Sequence, residues 1–336
     1  MWVIFLTNIS CVNLLCLISF HSGGNMKKFK KVLFGALTVA AATMATACSS
    51  SSSSSKSYTP SKSHPLTIQF VPSQAASTLE AKAKPLAKIM SKKLGVPVKI
   101  SMSTDYNTVV EAMKSKKIDV GFLPPDGYVL AHKQKAANLL LQALRYGVKQ
   151  PGGEATKKLV KSYRSEILVK KGSGITNWKQ LKGKKIAVQS STSSAGYIFP
   201  IAELKQKGLD LTKKGNANLI TVTGHDQAVL DVLSGDVDAA FVFEDARNTV
   251  KADQPNIMKK VVPIYFTKGI PNDTISVRPD MSKSFQKKLS KAFISLGKDP
   301  KTKKIIESIY SHEGYDHAKD SDFDIVRKYD KLAATK

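Results

Sequence analysis

Short apolar runs alternate with amphipathic stretches along most of the chain. LTIQFV, from Leu66, and PVKISMS, in which Val98, Ile100 and Met102 alternate with polar neighbours, both predict strands. Between them Ser77 and Glu80 form an S-x-x-E capping box, which predicts a helix running to Leu94 and stopping at Gly95. The pattern continues with a helix around 109–113, a strand over 119–123, a helix near Tyr128 and a strand over 139–144. A second series of the same kind carries strands over 185–189, 219–222 and 239–243. Strands alternating with helices predict an α/β fold with mostly parallel sheets.

Two extended stretches flank the second series, EILVKK at 166–171 and VVPIYFT at 261–267. Two such links predict that the chain leaves a first lobe and returns to it. The return carries DTISVR at 273–278, a helix with Phe285, Leu289, Phe293 and Leu296 on one face, and a final helical stretch from Asp320. The expected division is residues 66–169 with 270–336 for lobe 1, and 172–264 for lobe 2.

The N-terminal region has a different character. KKFKKVLFGALTVAAATMATAC, at 27–48, has a basic start, an apolar middle and small residues before a cysteine, the layout of a signal peptide. Translation is expected to start at Met26, which makes residues 1–25 an extension and 26–47 the leader. Ala45, Thr46, Ala47 and Cys48 resemble the lipobox of bacterial lipoproteins, with Ala45 where leucine is usual; Cys48 is the expected lipidation site. A serine tract at 49–55 and KSYTPSKSHP follow, so 48–65 reads as a flexible tether. The other two cysteines, Cys11 and Cys16, precede Met26, so the exported body has no disulfide framework and no thiolate metal site.

The formal charge is +26, from 52 basic and 26 acidic residues. The lysines are spread in KK and KxK pairs over every expected helix, without an aromatic-interleaved patch, so the charge describes a solvated surface and not a nucleic-acid site. His64, His132, His312 and His317 show no metal-ligand spacing, and no metal or cofactor is expected.

Candidate chemistry begins at SSTSSAGYIFP, 190–200, which follows the apolar run Ile186–Val188 and precedes a helical pattern of Tyr197, Ile201 and Leu204. A strand-to-helix turn leaves N–H donors unpaired at the positive end of the helix dipole, and the five hydroxyls add to them. The alternative for this turn is an N-cap in a polar loop. DYNTVVEAMKSKKIDVGF (105–122) and GHDQAVLDVLSGDVDAAF (224–241) share loop, helix, turn and strand without a gap, which aligns Tyr106 with His225 and Asp126 with Asp245. Equivalent loops of a duplicated unit are expected to face each other across a cleft. Ser193, His225 and Asp245 could instead form a serine-hydrolase triad, but no G-x-S-x-G elbow accompanies them.

From Leu66 to about Asp330 the chain resembles the phosphonate-binding proteins of bacterial ABC importers. The resemblance rests on DYNTVVEAM, IDVGFLPPDGYVLA, ILVKKGSGI, SSTSSAGYIFP, TGHDQAVLDVLSGDVDAA and GIPNDTISVR, in that order. It implies a two-lobed, type II periplasmic-binding-protein fold with two crossover strands as hinge, and a non-catalytic protein that binds phosphonate, phosphite or phosphate between its lobes. A sulfonate or another small organic anion is the alternative cargo. It implies an oxyanion grip by Thr192, Ser193 and Ser194 in a hydroxyl loop about two residues longer than the family's usual form, with contacts from His225 and from Tyr106 of the opposite lobe. Leu123 stands where the family has a second tyrosine. Asp245 and Asp273 match a carboxylate pair that holds the amine of aminoalkylphosphonates, with Asp245 in place of a glutamate. The expected setting is a monomer, lipid-anchored on the outer face of a Gram-positive cell membrane and partnered by an ABC permease.

Overall fold

The computed structural model describes residues 57–334. The extension at 1–25, the leader at 26–47 and Cys48 lie outside these residues. Lobe 1 begins with β1 (Leu66–Phe70), α1 (Ala76–Leu94), β2 (Val98–Met102), α2 (Tyr106–Lys114), β3 (Val120–Leu123), α3 (Pro125–Lys133), the long β4 (Asn138–Lys149), β5 (Glu154–Val160) and β6 (Ser162–Tyr163). Lobe 2 comprises β7 (Ser165–Lys170), β8 (Lys185–Val188), α4 (Phe199–Gln206), β9 (Asn218–Thr221), α5 (His225–Ser234), β10 (Ala239–Phe243), α6 (Ile257–Lys260) and β11 (Val261–Phe266). The chain then returns through β12 (Ile270–Pro271), β13 (Thr274–Val277), α7 (Lys283–Leu296), α8 (Pro300–Tyr310), β14 (Gly314–Asp316) and α9 (Asp324–Ala333).

The lobe 1 sheet runs β14-β4-β13-β3-β1-β2, with β5 on β4, and the lobe 2 sheet runs β11-β7-β10-β8-β9. Among the strand pairs of the described residues, parallel pairing is confined to β1 with β2 and β3, and to β8 with β9 and β10. Every pair made by a crossing or returning strand is antiparallel, including β13 with β3 and β4 and β7 with β10 and β11. The expectation of mostly parallel sheets is therefore corrected: apolar runs reveal burial but not direction. The expected links at 166–171 and 261–267 are themselves adjacent strands of the lobe 2 sheet. The crossing lies in the short β6 and β12, which pair antiparallel through Tyr163 with Ile270 and Ser162 with Pro271.

The lobe 1 core follows the sequence pattern. Leu79, Ala83, Leu86, Met90 and Leu94 give α1 one buried stripe, and Gly95 ends it in the left-handed conformation. Phe70 of β1 stacks on Phe122 of β3 at 4.1 Å, and Phe293 of α7 meets Phe122 edge-on at 5.6 Å. The Ser77–Glu80 capping box does not form. Ala75 is the N-cap, and its N–H donates 3.1 Å to Asp226 Oδ2, from the other lobe.

The ordered body also starts earlier than expected. Tyr58 pairs with the segment after β13, donating its N–H to Asp280 O at 2.7 Å and accepting from Ser282 N at 2.7 Å, and the Arg278 guanidinium lies 3.9 Å from the centre of its ring. Tyr58 and Thr59, read as tether, are thus docked on lobe 1, Thr59 Oγ1 donating 2.7 Å to Ser282 Oγ. The contact is long-range, and the local composition gave no sign of it. Among the described residues no helix is long and apolar enough to cross a membrane.

Candidate functional site

Parallel β1 and β3 of lobe 1 and β8 and β9 of lobe 2 direct their C-terminal ends toward a common cleft, where α/β sheets place ligands. The duplicated units behave as their alignment implies: Tyr106 is the first residue of α2, His225 is the first residue of α5, and both line one cavity.

The hydroxyl loop leaves β8 through buried Gln189. Ser193 caps the next turn, its Oγ accepting from Gly196 N at 3.2 Å. Ser194–Ile198 then form a single π-turn before α4, with Ile198 N donating to Ser193 O at 3.1 Å. Such widened turns occur often at functional sites. Gly196 is required for the packing: a Cβ there would come within 1.7 Å of Gln189 Oε1 and 2.9 Å of Gln189 Cβ. At the start of α5, Gly224 has φ +89°, and a Cβ would meet Asp226 Oδ1 at 2.4 Å and the Gln74 backbone at 3.3 Å. The glycine lets lobe 2 approach lobe 1 closely enough for His225 N to donate to Ser73 O at 2.9 Å.

The cleft is closed. Besides that bond, Asn107 Nδ2 donates to Ser190 Oγ at 3.1 Å and Asp126 N donates to Ser194 Oγ at 3.2 Å, each from lobe 1 to lobe 2. A cavity of about 50 Å³ remains, lined by Tyr106, Ser193, Ser194, His225 and Asp273 together with Arg145, Tyr163 and Tyr310. That is room for roughly three to five water molecules, the size of one small oxyanion.

The lining is rich in neutral hydrogen-bonding groups. Burial, with a smaller contribution from the Arg145 guanidinium, pushes the His225 imidazole down to about 3, so it is neutral at ordinary pH. Its Nδ1 has no protein partner, and its ring meets Phe243 edge-on at 4.7 Å. Burial first, then the Asp273 carboxylate, raises the Tyr106 and Tyr163 hydroxyls, which stay protonated as donors. Tyr310 is raised by burial too, and its hydroxyl donates to Val71 O at 2.5 Å. The first N–H groups of the turn at Ser194 add backbone donors.

Two expected site residues fall outside this lining. Thr192 is half-buried beside Ser190, its Oγ1 3.5 Å from Ser190 Oγ, and does not reach the cavity. Asp245 is occupied: Arg145 Nη2, from β4 of lobe 1, lies 2.7 Å from its Oδ1 and 2.9 Å from its Oδ2. An amine-holding pair of two free carboxylates is therefore not assembled, and neither is a triad, because Asp245 orients Arg145 and not His225. Asp273 does line the cavity, with Oδ2 3.3 Å from His312 Nε2. Leu123, at the position of the family's second tyrosine, is fully buried in the core, and the side chains that join the lining from elsewhere include Tyr163 and Tyr310. Arg145, Tyr163 and Tyr310 carried no local sequence mark.

Comparison with known proteins agrees with this fold. Residues 68–323 match the family model for the periplasmic phosphonate substrate-binding protein of ABC transporters. The phosphate-import protein PhnD of Mycolicibacterium smegmatis is 28% identical over 224 residues, a match spanning 64% of this chain and 66% of that protein, just under two thirds of its length. The phosphonates-binding periplasmic protein of Escherichia coli is 23% identical over 252 residues, spanning 73% of this chain and 70% of that protein. In fold, PhnD1 of Prochlorococcus marinus, solved in complex with methylphosphonate, superposes with a TM-score of 0.68 at 18% identity, covering 79% of this chain and 97% of that one. With two lobes, a closed cleft of neutral donors and a family match across most of its length, the chain belongs to the periplasmic phosphonate substrate-binding proteins of ABC transporters.

Proposed function

We propose that the protein binds a small phosphorus oxyanion between its lobes and delivers it to an ABC permease, working as a monomer held to the outer face of the membrane by a lipid on Cys48. The observation that carries this reading is the closed cavity of about 50 Å³ lined by Ser193, Ser194, Tyr106 and His225. An oxyanion presents many lone pairs, and neutral O–H and N–H donors can saturate them without placing a lysine against it. The helix dipole behind Ser194 supplies further positive potential. The match to a phosphate-import protein and the likeness in fold to a methylphosphonate-bound one support the same cargo class.

The test is a thermal-shift panel of phosphate, phosphite, methylphosphonate and a simple sulfonate, since a ligand that binds only the folded state raises the melting temperature by mass action. A shift with the sulfonate alone would replace the phosphorus reading. Anchoring is tested separately: Cys48→Ser should release the protein from membranes, and retention of that variant would mean that an uncleaved segment holds it.

A further inference from the structure

The cavity contains one guanidinium and one carboxylate, and their arrangement narrows the cargo. Arg145 is buried, with Nη2 against both oxygens of Asp245 and its Cζ 5.4 Å and 5.6 Å from the ring centres of Tyr163 and Phe243. Asp245 therefore already has a cation, supplied by the protein. A ligand ammonium at that end would sit beside a fixed positive charge and would have to displace a bonded guanidinium, leaving it buried and unpaired. Asp273 remains as the carboxylate that faces the cavity, and among the described residues its side chain is partnered through Oδ2, by His312. Burial lowers the His312 imidazole, so this partner brings no full positive charge at neutral pH. A carboxylate only accepts hydrogen bonds, so beside an oxyanion it repels unless a hydrogen lies between them. With the ammonium excluded and Arg145 committed to Asp245, a hydrogen on the oxyanion supplies that contact directly.

We propose that Arg145, docked on Asp245, is a specificity-determining residue that closes the site to ammonium-bearing phosphonates, and that Asp273 selects a small phosphorus oxyanion retaining a P–O–H group, as hydrogenphosphate and the monoanion of a simple alkylphosphonate both do. The inference rests on the oxyanion reading above and goes beyond it by naming the protonation and substituent of the ligand. Sulfate is the informative contrast: similar in size, it carries no proton at neutral pH, so its oxygen would meet Asp273 directly.

Calorimetric titration of the full-length chain with phosphate, sulfate, ethylphosphonate and 2-aminoethylphosphonate separates the possibilities. Phosphate should bind at least a hundredfold more tightly than sulfate, and aminoethylphosphonate no more tightly than ethylphosphonate. Asp273→Asn should reduce the phosphate-over-sulfate ratio at least tenfold, because an amide can donate to the unprotonated ion. Arg145→Gln should create a preference for aminoethylphosphonate over ethylphosphonate of about tenfold by freeing Asp245. The comparison of the two phosphonates in the unaltered protein decides the matter even if a variant does not fold. A tenfold preference for the amine there would overturn the role of Arg145 while leaving the oxyanion reading standing. Equal affinity for phosphate and sulfate would overturn the role of Asp273. Failure of both phosphate and ethylphosphonate to bind would overturn the oxyanion reading itself, and this inference with it.

Discussion

Replacing Ser194 with alanine removes one oxygen and tests the core of the site. The residue is fully buried, lines the cavity, and its Oγ accepts from Asp126 N at 3.2 Å across the cleft. Since that bond uses a lone pair, the hydroxyl hydrogen stays available to a ligand oxygen. A hydrogen bond to a charged group contributes about 1.5 to 3 kcal/mol, which corresponds to roughly a ten- to 150-fold loss of affinity. The variant also leaves Asp126 N–H without its acceptor when the lobes are closed, a cost of about 1 to 3 kcal/mol. The two losses share an atom and do not simply add, so tenfold is the lower bound. Calorimetry with phosphate or methylphosphonate measures it, and circular dichroism checks that the fold persists. A loss of less than threefold in a folded variant would mean that this hydroxyl neither grips the ligand nor ties the lobes.

His225→Ala should weaken oxyanion binding by about tenfold or more, by the same hydrogen-bond magnitude, and unchanged affinity would remove the imidazole from the site. Gly196→Ala should also weaken binding by shifting the loop, since its Cβ would overlap Gln189 as far back as that residue's own Cβ; adding Gln189→Gly should restore much of the loss, and no restoration would refute the packing argument. Asp126 is buried, and burial, followed by the neighbouring Asp330 charge, raises its carboxyl well above the usual range. A group with a raised folded pKa opposes folding as pH rises above its unfolded value of about 3.9. Asp126→Asn should therefore raise the melting temperature at pH 8 and change it little near pH 4; a lower melting temperature at pH 8 would refute the assignment.

Much of this site was legible because its parts repeat. The matching units at 105–122 and 224–241 mark two helix starts, and helix starts at strand ends are where such sheets gather ligands. That logic finds Tyr106 and His225, and the hydroxyl run finds Ser193 and Ser194. Arg145 was illegible for the opposite reason. It is one of 52 basic residues, in a strand whose neighbours are mostly half-buried, and its partner lies 100 positions away. Arg247, the basic residue nearest Asp245 along the chain, is not its partner: it turns inward to Glu166 and to the carbonyls of Pro151 and Val261. Tyr58 shows the same limit: its serine- and lysine-rich surroundings describe a tether, and distant partners, Arg278, Asp280 and Ser282, convert it into a docked segment.

The atoms that line the cavity are largely the atoms that hold the lobes together. Ser194 accepts from lobe 1, the His225 backbone donates to lobe 1, and Arg145 reaches from lobe 1 to Asp245 of lobe 2. Beyond the cavity the C-terminal α9 spans the same junction, with Tyr329 stacked on Phe199 of α4 at 4.3 Å and its hydroxyl donating 3.0 Å to Glu203 Oε1. Recognition and closure are consequently a single equilibrium. A ligand that satisfies the donors of both lobes favours the closed arrangement by its difference in affinity between the two states, and by no more than that. The basic surface has little part in this step: with Arg145 committed to Asp245, discrimination depends on where hydrogens lie within a cavity of about 50 Å³. The excess of basic residues, +22 from Cys48 onward (48 basic and 26 acidic residues), acts at longer range, raising the local concentration of anions, and salt should weaken that attraction far more than it weakens the buried contacts.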